Sequence, residues 1–194
     1  MQQDNYIPNQ ITNTTKMEEK KYFDRQIDES LLAWKNSPRH KPLLLRGARQ
    51  VGKSSSVHHL ARQFDNFVEI NFERKPAYLE IFQGDRDAKH IVEMIKSITG
   101  KPIVPGKTLL FLDEIQMCQE AISSLRFFWE DMPELHVIAA GSLLEFALNE
   151  IPTFGVGRIH SMFMYPMSFD EFLNALGMTS LQRQKREASM EKPL

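Results

Sequence analysis

One short segment of the sequence has the spacing of a phosphate-binding loop. The segment Gly47-Ala-Arg-Gln-Val-Gly52-Lys53-Ser54 fits the pattern G-x-x-x-x-G-K-[ST] at every fixed position. A tight turn of this kind directs successive backbone N–H groups toward bound phosphates, and its glycines allow backbone angles that other residues avoid. Lys53 is expected to reach the β- and γ-phosphates, and the Ser54 hydroxyl is expected to ligate Mg²⁺. The pattern therefore predicts a site for a nucleoside triphosphate and its magnesium ion.

The residues around this segment provide the context that such a loop needs. The apolar run at 42–46 predicts a strand buried on both faces, and helical spacing returns after Lys53. A helix that begins at the loop adds its dipole to the attraction for phosphate. A chance match to the pattern is the alternative, and this context disfavours it. The residues predicted to bind the nucleotide are Gly47, Ala48, Arg49, Gln50, Val51, Gly52, Lys53, Ser54 and Ser55.

Two adjacent carboxylates follow a second apolar run. Asp113 and Glu114 come directly after the segment TLLFL at 108–112. Ligands of open α/β sheets bind at the carboxyl ends of the strands, so Asp113 is expected to hold Mg²⁺ together with Ser54. Glu114 is expected to polarise the water that attacks the γ-phosphate, which favours hydrolysis over transfer to another acceptor. A solvated loop start is the alternative, and it is the better interpretation only for a pair with no phosphate loop upstream.

Three further polar residues are less specific. Ser142 follows the predicted strand at 135–140, where it could sense the γ-phosphate, orient the attacking water or simply cap a short helix at 143–148. Arg158 lies in a glycine loop before the last predicted strand. It could contact a γ-phosphate in the same chain or in a neighbour, or form a surface salt bridge. Gln116 could contact water or a neighbouring loop, and it is expected to be a surface side chain.

The elements that carry these residues alternate along the chain. Apolar or alternating runs predict five strands, at 42–46, 67–72, 108–112, 135–140 and 159–164. Helical spacing and capping signals predict helices at 22–36, after Lys53, at 76–83, 87–98, 120–130 and 143–148, and from Ser168 to Gly177. Strands that alternate with helices predict an α/β fold, in which helices cover both faces of a parallel sheet.

Length and composition limit the remaining classes of function. With 194 residues, 42% of them hydrophobic, the chain can bury one substantial core. Its 24 basic and 25 acidic residues indicate neither a nucleic-acid partner nor a membrane surface. Cys118 is the only cysteine, which excludes an internal disulfide. No apolar run approaches the roughly 18 residues of a membrane span, and the first residues lack a signal-peptide pattern. We therefore expect a soluble cytoplasmic protein.

Four motifs in order resemble the AAA-type ATPase domain of a broad prokaryotic family. They are GARQVGKS, LLFLDEIQ, HVIAAGS and GVGRIHSMFMYPMSFDEF, within a similarity that runs from about Tyr22 to Gly177. The resemblance implies a three-layer P-loop NTPase fold, whose five-stranded parallel sheet has the order 5-1-4-3-2. It implies ATP and Mg²⁺ as cofactors, with residues 47–54 as the phosphate loop, Asp113 for Mg²⁺ and Glu114 as water activator. It makes Ser142 the polar sensor and Arg158 the family arginine.

The specificity for adenine also rests on this resemblance, since no residue pattern here identifies a base. The segment at the start of the first helix, with Tyr22, Phe23 and Arg25, could pack on the purine.

The resemblance also divides the chain into three parts. Residues 1–20, rich in Asn, Gln and Thr, are expected to form a disordered tail, and residues 21–178 to form the ATPase domain. Residues 179–194 are a charged extension, with no clear helical face from 182 onward, that could begin an effector domain of the kind family members carry. The prediction is ATP hydrolysis coupled to an unidentified effector domain or partner protein. The alternative is an ATP-dependent switch with negligible turnover; a P-loop kinase is weaker, because no acceptor pocket or arginine-rich lid is found.

Overall fold

The strands of the chain lie side by side in one parallel sheet. A computed structural model describes residues 22–84, 87–142, 144 and 157–187. The strands are β1 Leu43–Arg46, β2 Asn66–Asn71, β3 Thr108–Asp113, β4 His136–Ala140 and β5 His160–Phe163. Their order across the sheet is β2-β3-β4-β1-β5, and every neighbouring pair is parallel. This is the predicted order 5-1-4-3-2 counted from the other edge, so the predicted fold is confirmed.

Helices cover both faces of this sheet. The α-helices are α1 Gln26–Lys35, α2 Lys53–Ala61, α3 Ala88–Thr99, α4 Gln119–Asp131, α5 Phe169–Ala175 and α6 Thr179–Glu187. Two 3₁₀-helices, Pro76–Phe82 and Ile115–Met117, complete the described elements. Alternate residues of a strand point to opposite faces, so each central strand supplies two halves of the core. In β3, Leu110 packs with α3 and α4, whereas Phe111 packs with α1 and α2. The result is a three-layer arrangement.

The order of the strands places the predicted site residues at one edge of the sheet. In β4, Ala140 is level with Leu45 of β1 on one side and with Asp113 of β3 on the other. Parallel strands end at the same edge, so the loop that follows β1 and the carboxylate that ends β3 flank the end of β4. This is the crevice in which open α/β sheets bind their ligands.

Two of the predicted elements differ from the structure, and some fall outside it. The 76–83 helix is a 3₁₀-helix that begins at Pro76. The charged extension, in which no clear helical face was found from 182 onward, begins with a helix that was not predicted, α6 at Thr179–Glu187. This helix is rich in strong helix formers, and Gln182 and Lys185 both hydrogen-bond Asp170 of α5. The 1–20 tail and nearly all of the 143–148 helix lie outside the described residues.

The last predicted helix has the expected ends. The Ser168 hydroxyl accepts a hydrogen bond from the Glu171 backbone N–H at 3.2 Å, and the Glu171 carboxylate accepts one from the Ser168 backbone N–H at 2.6 Å. Gly177 follows α5 with a φ of +71°, a conformation that glycine adopts without strain.

Within the described ranges, every helix is too short or too polar to cross a membrane.

Candidate nucleotide-binding site

The loop between β1 and α2 has the backbone shape of a phosphate-binding turn. Gly47, Gln50 and Gly52 all have positive φ, of +146°, +64° and +102°. A β-carbon at Gly47 would collide with the backbone carbonyl of Met164, which follows β5. The glycine therefore serves two purposes, because it allows the turn and lets β5 approach it closely. Gln50 is a non-glycine residue in the left-handed region, and such strain concentrates at functional sites.

Lys53, the first residue of α2, lies in the concavity of this loop. Its side chain is buried and its Nζ donates to the backbone carbonyls of Gly47 and Ala48, at 2.9 and 2.8 Å. Burial lowers the pKa of Lys53, and the nearby carboxylates of Glu114 and Asp113 partly oppose that shift. The first four N–H groups of a helix have no partner within the helix. The start of α2 thus offers backbone donors and a buried ammonium group to an anion.

Ser54 and Asp113 meet at the carboxyl edge of the sheet. The Ser54 hydroxyl lies 3.2 Å from Oδ1 and 3.1 Å from Oδ2 of Asp113. Asp113 is buried, which raises the pKa of its carboxyl, while the hydrogen bond from Ser54 lowers it. A hydroxyl and a carboxylate are the hard oxygen ligands that Mg²⁺ prefers. The structure therefore brings the two predicted metal ligands together, and their chemistry suits the ion.

Glu114 adopts an unusual backbone conformation next to this pair. Its φ of +52° and ψ of +43° lie in the left-handed region, which costs a non-glycine residue on the order of 1 kcal/mol. Its backbone N–H donates to Oδ1 of Asp113 at 3.1 Å, and its carboxylate accepts a hydrogen bond of 2.6 Å from Nε2 of Gln116. Glu114 also contributes to the electrostatic environment of Lys53. The predicted water activator therefore lies within the site, held by two short contacts.

Two residues of the site escaped the sequence analysis. Asn71 ends β2 directly beside Asp113, and its amide donates to Oδ2 of that carboxylate at 3.0 Å. The other end of the amide accepts from the backbone N–H of Arg74 at 2.8 Å, so Asn71 fixes the orientation of Asp113. The available signal was its place at the end of an alternating run, on the strand that neighbours β3.

Gln116 is the second residue whose place in the site was missed. It contacts a neighbouring loop, which was one of the two alternatives, and the expectation of a surface side chain is wrong. It is half-buried, and it lies between Glu114 and the backbone of Gly141. A β-carbon at Gly141 would collide with Oε1 of Gln116. Within the described part of the chain, that oxygen is buried and has no hydrogen-bond partner. The last residue of the motif D-E-I-Q thus contacts its second residue, because the short 3₁₀-helix turns the chain between them.

Ser142 lies at the same edge of the sheet as the pair. It is buried and follows Ala140, the residue of β4 that is level with Asp113. The helix that it was predicted to cap begins in residues outside the described ranges. Its role as a polar sensor therefore stays a prediction.

Arg158 lies at the opposite edge, which contradicts a contact with a phosphate in its own chain. It comes just before β5, and the first residue of β5, His160, is level with Leu43 at the start of β1. The phosphate loop follows the other end of β1. The Arg158 side chain is 50% exposed and forms a 2.7 Å ion pair with Glu130 at the end of α4. The surface salt bridge, one of the two alternatives from the sequence, is present.

A pocket of about 480 Å³ adjoins the phosphate loop on the side of the N-terminal segment. It is lined by Tyr22, Phe23, Arg25, Ala48, Arg49, Gln50, Val51, Gly52, Ser55, Ser56, Pro166 and Met167. The Tyr22 hydroxyl hydrogen-bonds Asp28 at 2.7 Å and Ser56 at 2.9 Å, which ties the segment to α2. The three residues suggested to pack on a base therefore do line a cavity beside the loop. The Arg49 guanidinium, in contrast, is 72% exposed and pairs with Glu73.

The sequence matches the model of a known protein family. A family model described as an AAA domain matches residues 39–173, a range that includes the phosphate loop and Asp113. No curated protein matches the sequence. The structure is similar to that of the Aeropyrum pernix ORC1 protein in complex with DNA, with a TM-score of 0.48 and 14% sequence identity. The similarity covers 80% of this chain and 47% of the ORC1 chain, so this chain spans about half the length of that protein. Since the family model covers more than half of its residues, the chain belongs to the AAA family of P-loop ATPase domains.

Proposed function

We propose that this chain binds Mg-ATP and hydrolyses it, and that hydrolysis is coupled to an effector domain or partner protein. The observation that carries the proposal is the contact of the Ser54 hydroxyl with both carboxylate oxygens of Asp113, at 3.1 and 3.2 Å. Lys53, which directly precedes Ser54 in the chain, is buried and carries an ammonium group. Two oxygen ligands for a divalent cation therefore meet at the start of α2, next to an ammonium group that can bind phosphate. Phosphoryl chemistry requires this arrangement.

The residues of the site divide the chemistry among them. The loop amides and Lys53 bind the β- and γ-phosphates, and Lys53 exchanges the carbonyls of Gly47 and Ala48 for phosphate oxygens. Ser54 and Asp113 would hold Mg²⁺, which supplies charge neutralisation between the two phosphates. Glu114 accepts a proton from the attacking water, and Gln116 holds its carboxylate in place. Ser142, at the end of β4, is a candidate to contact the γ-phosphate.

The pocket of about 480 Å³ is proposed to receive the nucleoside. It adjoins the phosphate loop at Gly52 and Ser55, and Phe23 and Met167 also line it. An aromatic ring and a thioether suit the flat apolar faces of a purine. Specificity for adenine over guanine remains a proposal that rests on family membership.

One observation favours an ATP-dependent switch with negligible turnover as the second candidate. The Glu114 carboxylate is engaged by the Gln116 amide at 2.6 Å, and its backbone is in the left-handed region. In this candidate, a partner that contacts the loop containing Gly141 would release the carboxylate. In the absence of that partner, ATP would order the site without rapid hydrolysis.

Arg158 can reach a γ-phosphate only in a second copy of the chain, since it lies at the far edge of its own sheet. A cytoplasmic location likewise stays an expectation.

Calorimetric titration of ATP into the full chain, with Mg²⁺ and with EDTA, tests the binding step. We expect affinity in the presence of Mg²⁺, a large loss in EDTA and no measurable binding by Lys53→Ala. Equal affinity with and without Mg²⁺ would refute the assignment of Ser54 and Asp113. A phosphate-release assay on the same preparations then separates the two candidates. Turnover above that of Lys53→Ala supports hydrolysis, and turnover equal to it, despite tight binding, supports the switch.

A further inference from the structure

The Arg25 side chain connects three parts of the chain that are distant in sequence. It is only 8% exposed, although it belongs to the segment before α1. Nη1 donates to the backbone carbonyl of Val51 in the phosphate loop at 2.7 Å, and Nη2 donates to the carbonyl of Tyr165 at 2.9 Å. Nε donates to Oε1 of Glu171 in α5 at 3.1 Å. One guanidinium group therefore contacts the loop, the segment after β5 and α5 at once.

Glu171 is the acceptor for more than Arg25. Its Oε1 also accepts from the backbone N–H of Gln26 at 2.7 Å, and its Oε2 accepts from that of Ser168 at 2.6 Å. The side chain is 7% exposed. Burial raises the pKa of this carboxyl, but the hydrogen bonds from Ser168, Gln26 and Arg25 outweigh burial and lower it. Glu171 is thus a buried anion whose position fixes the first turn of α5 against the N-terminal segment.

A second contact joins the same elements without any charge. Met164 lies between β5 and α5, and its backbone and side chain pack against the two glycines of the phosphate loop. A β-carbon at Gly47 would strike the Met164 carbonyl, and one at Gly52 would lie 3.4 Å from Cε of Met164 and 3.3 Å from Nη1 of Arg25. Both glycines of the loop thus lie close to Met164, and Gly52 also lies close to Arg25. Met164 precedes α5 in the chain by five residues, and Arg25 contacts Glu171 of α5.

We propose that Arg25 is a positioning residue that couples the conformation of the phosphate loop to the docking of α5. The proposal rests on the proposed function, because the loop is the nucleotide site. Arg25 also lines the pocket proposed for the nucleoside, but its three guanidinium nitrogens donate to Val51, Tyr165 and Glu171, so in this proposal it acts through the Val51 carbonyl. Glu171 does not line that pocket, so Glu171→Gln tests the coupling without a change in any residue beside the nucleoside. When nucleotide fixes the loop, that carbonyl is fixed for Nη1, and the pair with Glu171 keeps α5 in place. By linkage, docked α5 strengthens nucleotide binding by the same factor. A change in the bound nucleotide would then alter the docking of the helical pair α5–α6, and this pair would transmit the change to an effector domain or partner.

A purely structural role for Arg25 makes a different prediction. In that case, loss of the arginine would lower the stability of the whole chain, with no specific link between the loop and α5. Hydrogen exchange followed by mass spectrometry separates the two, because it measures the loop (47–53) and α5 (169–175) in the same sample. A ligand that binds only the folded chain slows all exchange that occurs through global unfolding. Coupling therefore predicts that Mg-ATP slows exchange in α5 of the unchanged chain more than it slows exchange in α3.

The test uses the full chain with Arg25→Lys and Glu171→Gln, each of which keeps a polar side chain of similar size. Arg183→Lys is the matched control, since Arg183 pairs with one carboxylate, Glu187, on the exposed face of α6. For each folded variant of the pair we expect affinity for Mg-ATP to fall by about 5- to 150-fold, the usual range of coupling between sites. We also expect Mg-ATP no longer to protect α5 more than α3. The control should retain both the affinity and the protection.

Unchanged affinity, with α5 still protected by Mg-ATP more than α3, in Arg25→Lys or Glu171→Gln would overturn the coupling. A chain that binds no nucleotide at all would refute the proposed function, and the coupling is then tested without nucleotide. In that case, exchange of residues 47–53 is compared between the unchanged chain and Glu171→Gln. Faster exchange in the loop of Glu171→Gln supports the coupling, and equal exchange contradicts it.

Discussion

The Ser54 hydroxyl lies 3.1 Å from Oδ2 and 3.2 Å from Oδ1 of Asp113, although 59 positions separate the two residues in sequence. The contact spans two elements, the first turn of α2 and the end of β3, with the end of β4 between the strands that lead to them. Ser54 and Asp113 would hold a divalent cation, which would neutralise the charge of phosphates bound by Lys53 and the open N–H groups of α2. This one relationship connects the fold to the proposed chemistry.

Removal of the Ser54 hydroxyl should weaken the effect of Mg²⁺ on ATP affinity. We expect Ser54→Ala to lose about tenfold or more of the affinity gained with Mg²⁺, which is about 1.4 kcal/mol or more. The affinity measured in EDTA should change little, because the loop amides remain. Ser97→Ala, an exposed serine of α3, is the control. Calorimetry in Mg²⁺ and in EDTA measures both, and an equal Mg²⁺ effect in Ser54→Ala would contradict the metal assignment.

The contact between Gln116 and Gly141 makes a test of how Glu114 is held. Gly141→Ala should displace Oε1 of Gln116 and so free the Glu114 carboxylate, as Gln116→Ala does directly. We expect each variant to lower kcat by about tenfold, a size typical of residues that orient a functional group. Because both act on one contact, the double variant should be no slower than either single variant. Additive losses would show that the two residues act separately, and faster turnover would favour the switch.

The proposed nucleoside pocket can be separated from the phosphate site by its ligand. Phe23→Ala should weaken ATP by about five- to tenfold through the loss of a packed ring, since aromatic contacts contribute about 1 kcal/mol. Inorganic tripolyphosphate has no base, so its affinity should not change. Leu32→Ala, an exposed apolar residue of α1, serves as the control. Competition binding with the two ligands measures the ratio, and a parallel loss for both would place the base elsewhere.

His136 should make the folded state less stable in mild acid. Burial lowers the pKa of His136 to about 4, whereas an unfolded histidine titrates near 6.5. The unfolded chain therefore binds the extra proton between these values, and stability falls as pH drops from about 6.5 to about 4, by about 3 kcal/mol in total. His136→Phe keeps an aromatic ring beside His40 and Trp34 but cannot titrate. Urea unfolding at pH 7.5 and 5 should show a smaller pH effect in this variant; an equal effect would assign the titration to other groups.

The sequence was sufficient for those parts of the fold that are buried on both faces. Residues 109–112 are uninterrupted apolar residues because helices cover both sides of β3, and no surface residue interrupts the run. The phosphate loop could be located because its chemistry fixes residue types at fixed spacing. The strand order, however, came from the resemblance, since no local pattern determines which strands are neighbours.

The residues that were missed depend on contacts between distant elements. Asn71 reaches Asp113 only because β2 and β3 are neighbours, and Arg25 meets Glu171 across 146 positions. The position of Gln116 follows from the left-handed backbone of Glu114, which hydrophobic periodicity does not indicate. The same-chain role of Arg158 was an error of topology. A loop that precedes a parallel strand lies at the amino edge of the sheet, away from the phosphates.

The account depends most on Glu114, because hydrolysis requires that residue and binding does not. Phosphate release should be measured for the unchanged chain and for Glu114→Gln at saturating Mg-ATP, with binding by each chain confirmed by calorimetry. We predict that Glu114→Gln binds Mg-ATP with affinity within about threefold of the unchanged chain and loses turnover by about 100-fold or more, since general base catalysis contributes 10²–10⁴-fold. Unchanged turnover in Glu114→Gln, with binding intact, would contradict the proposed mechanism.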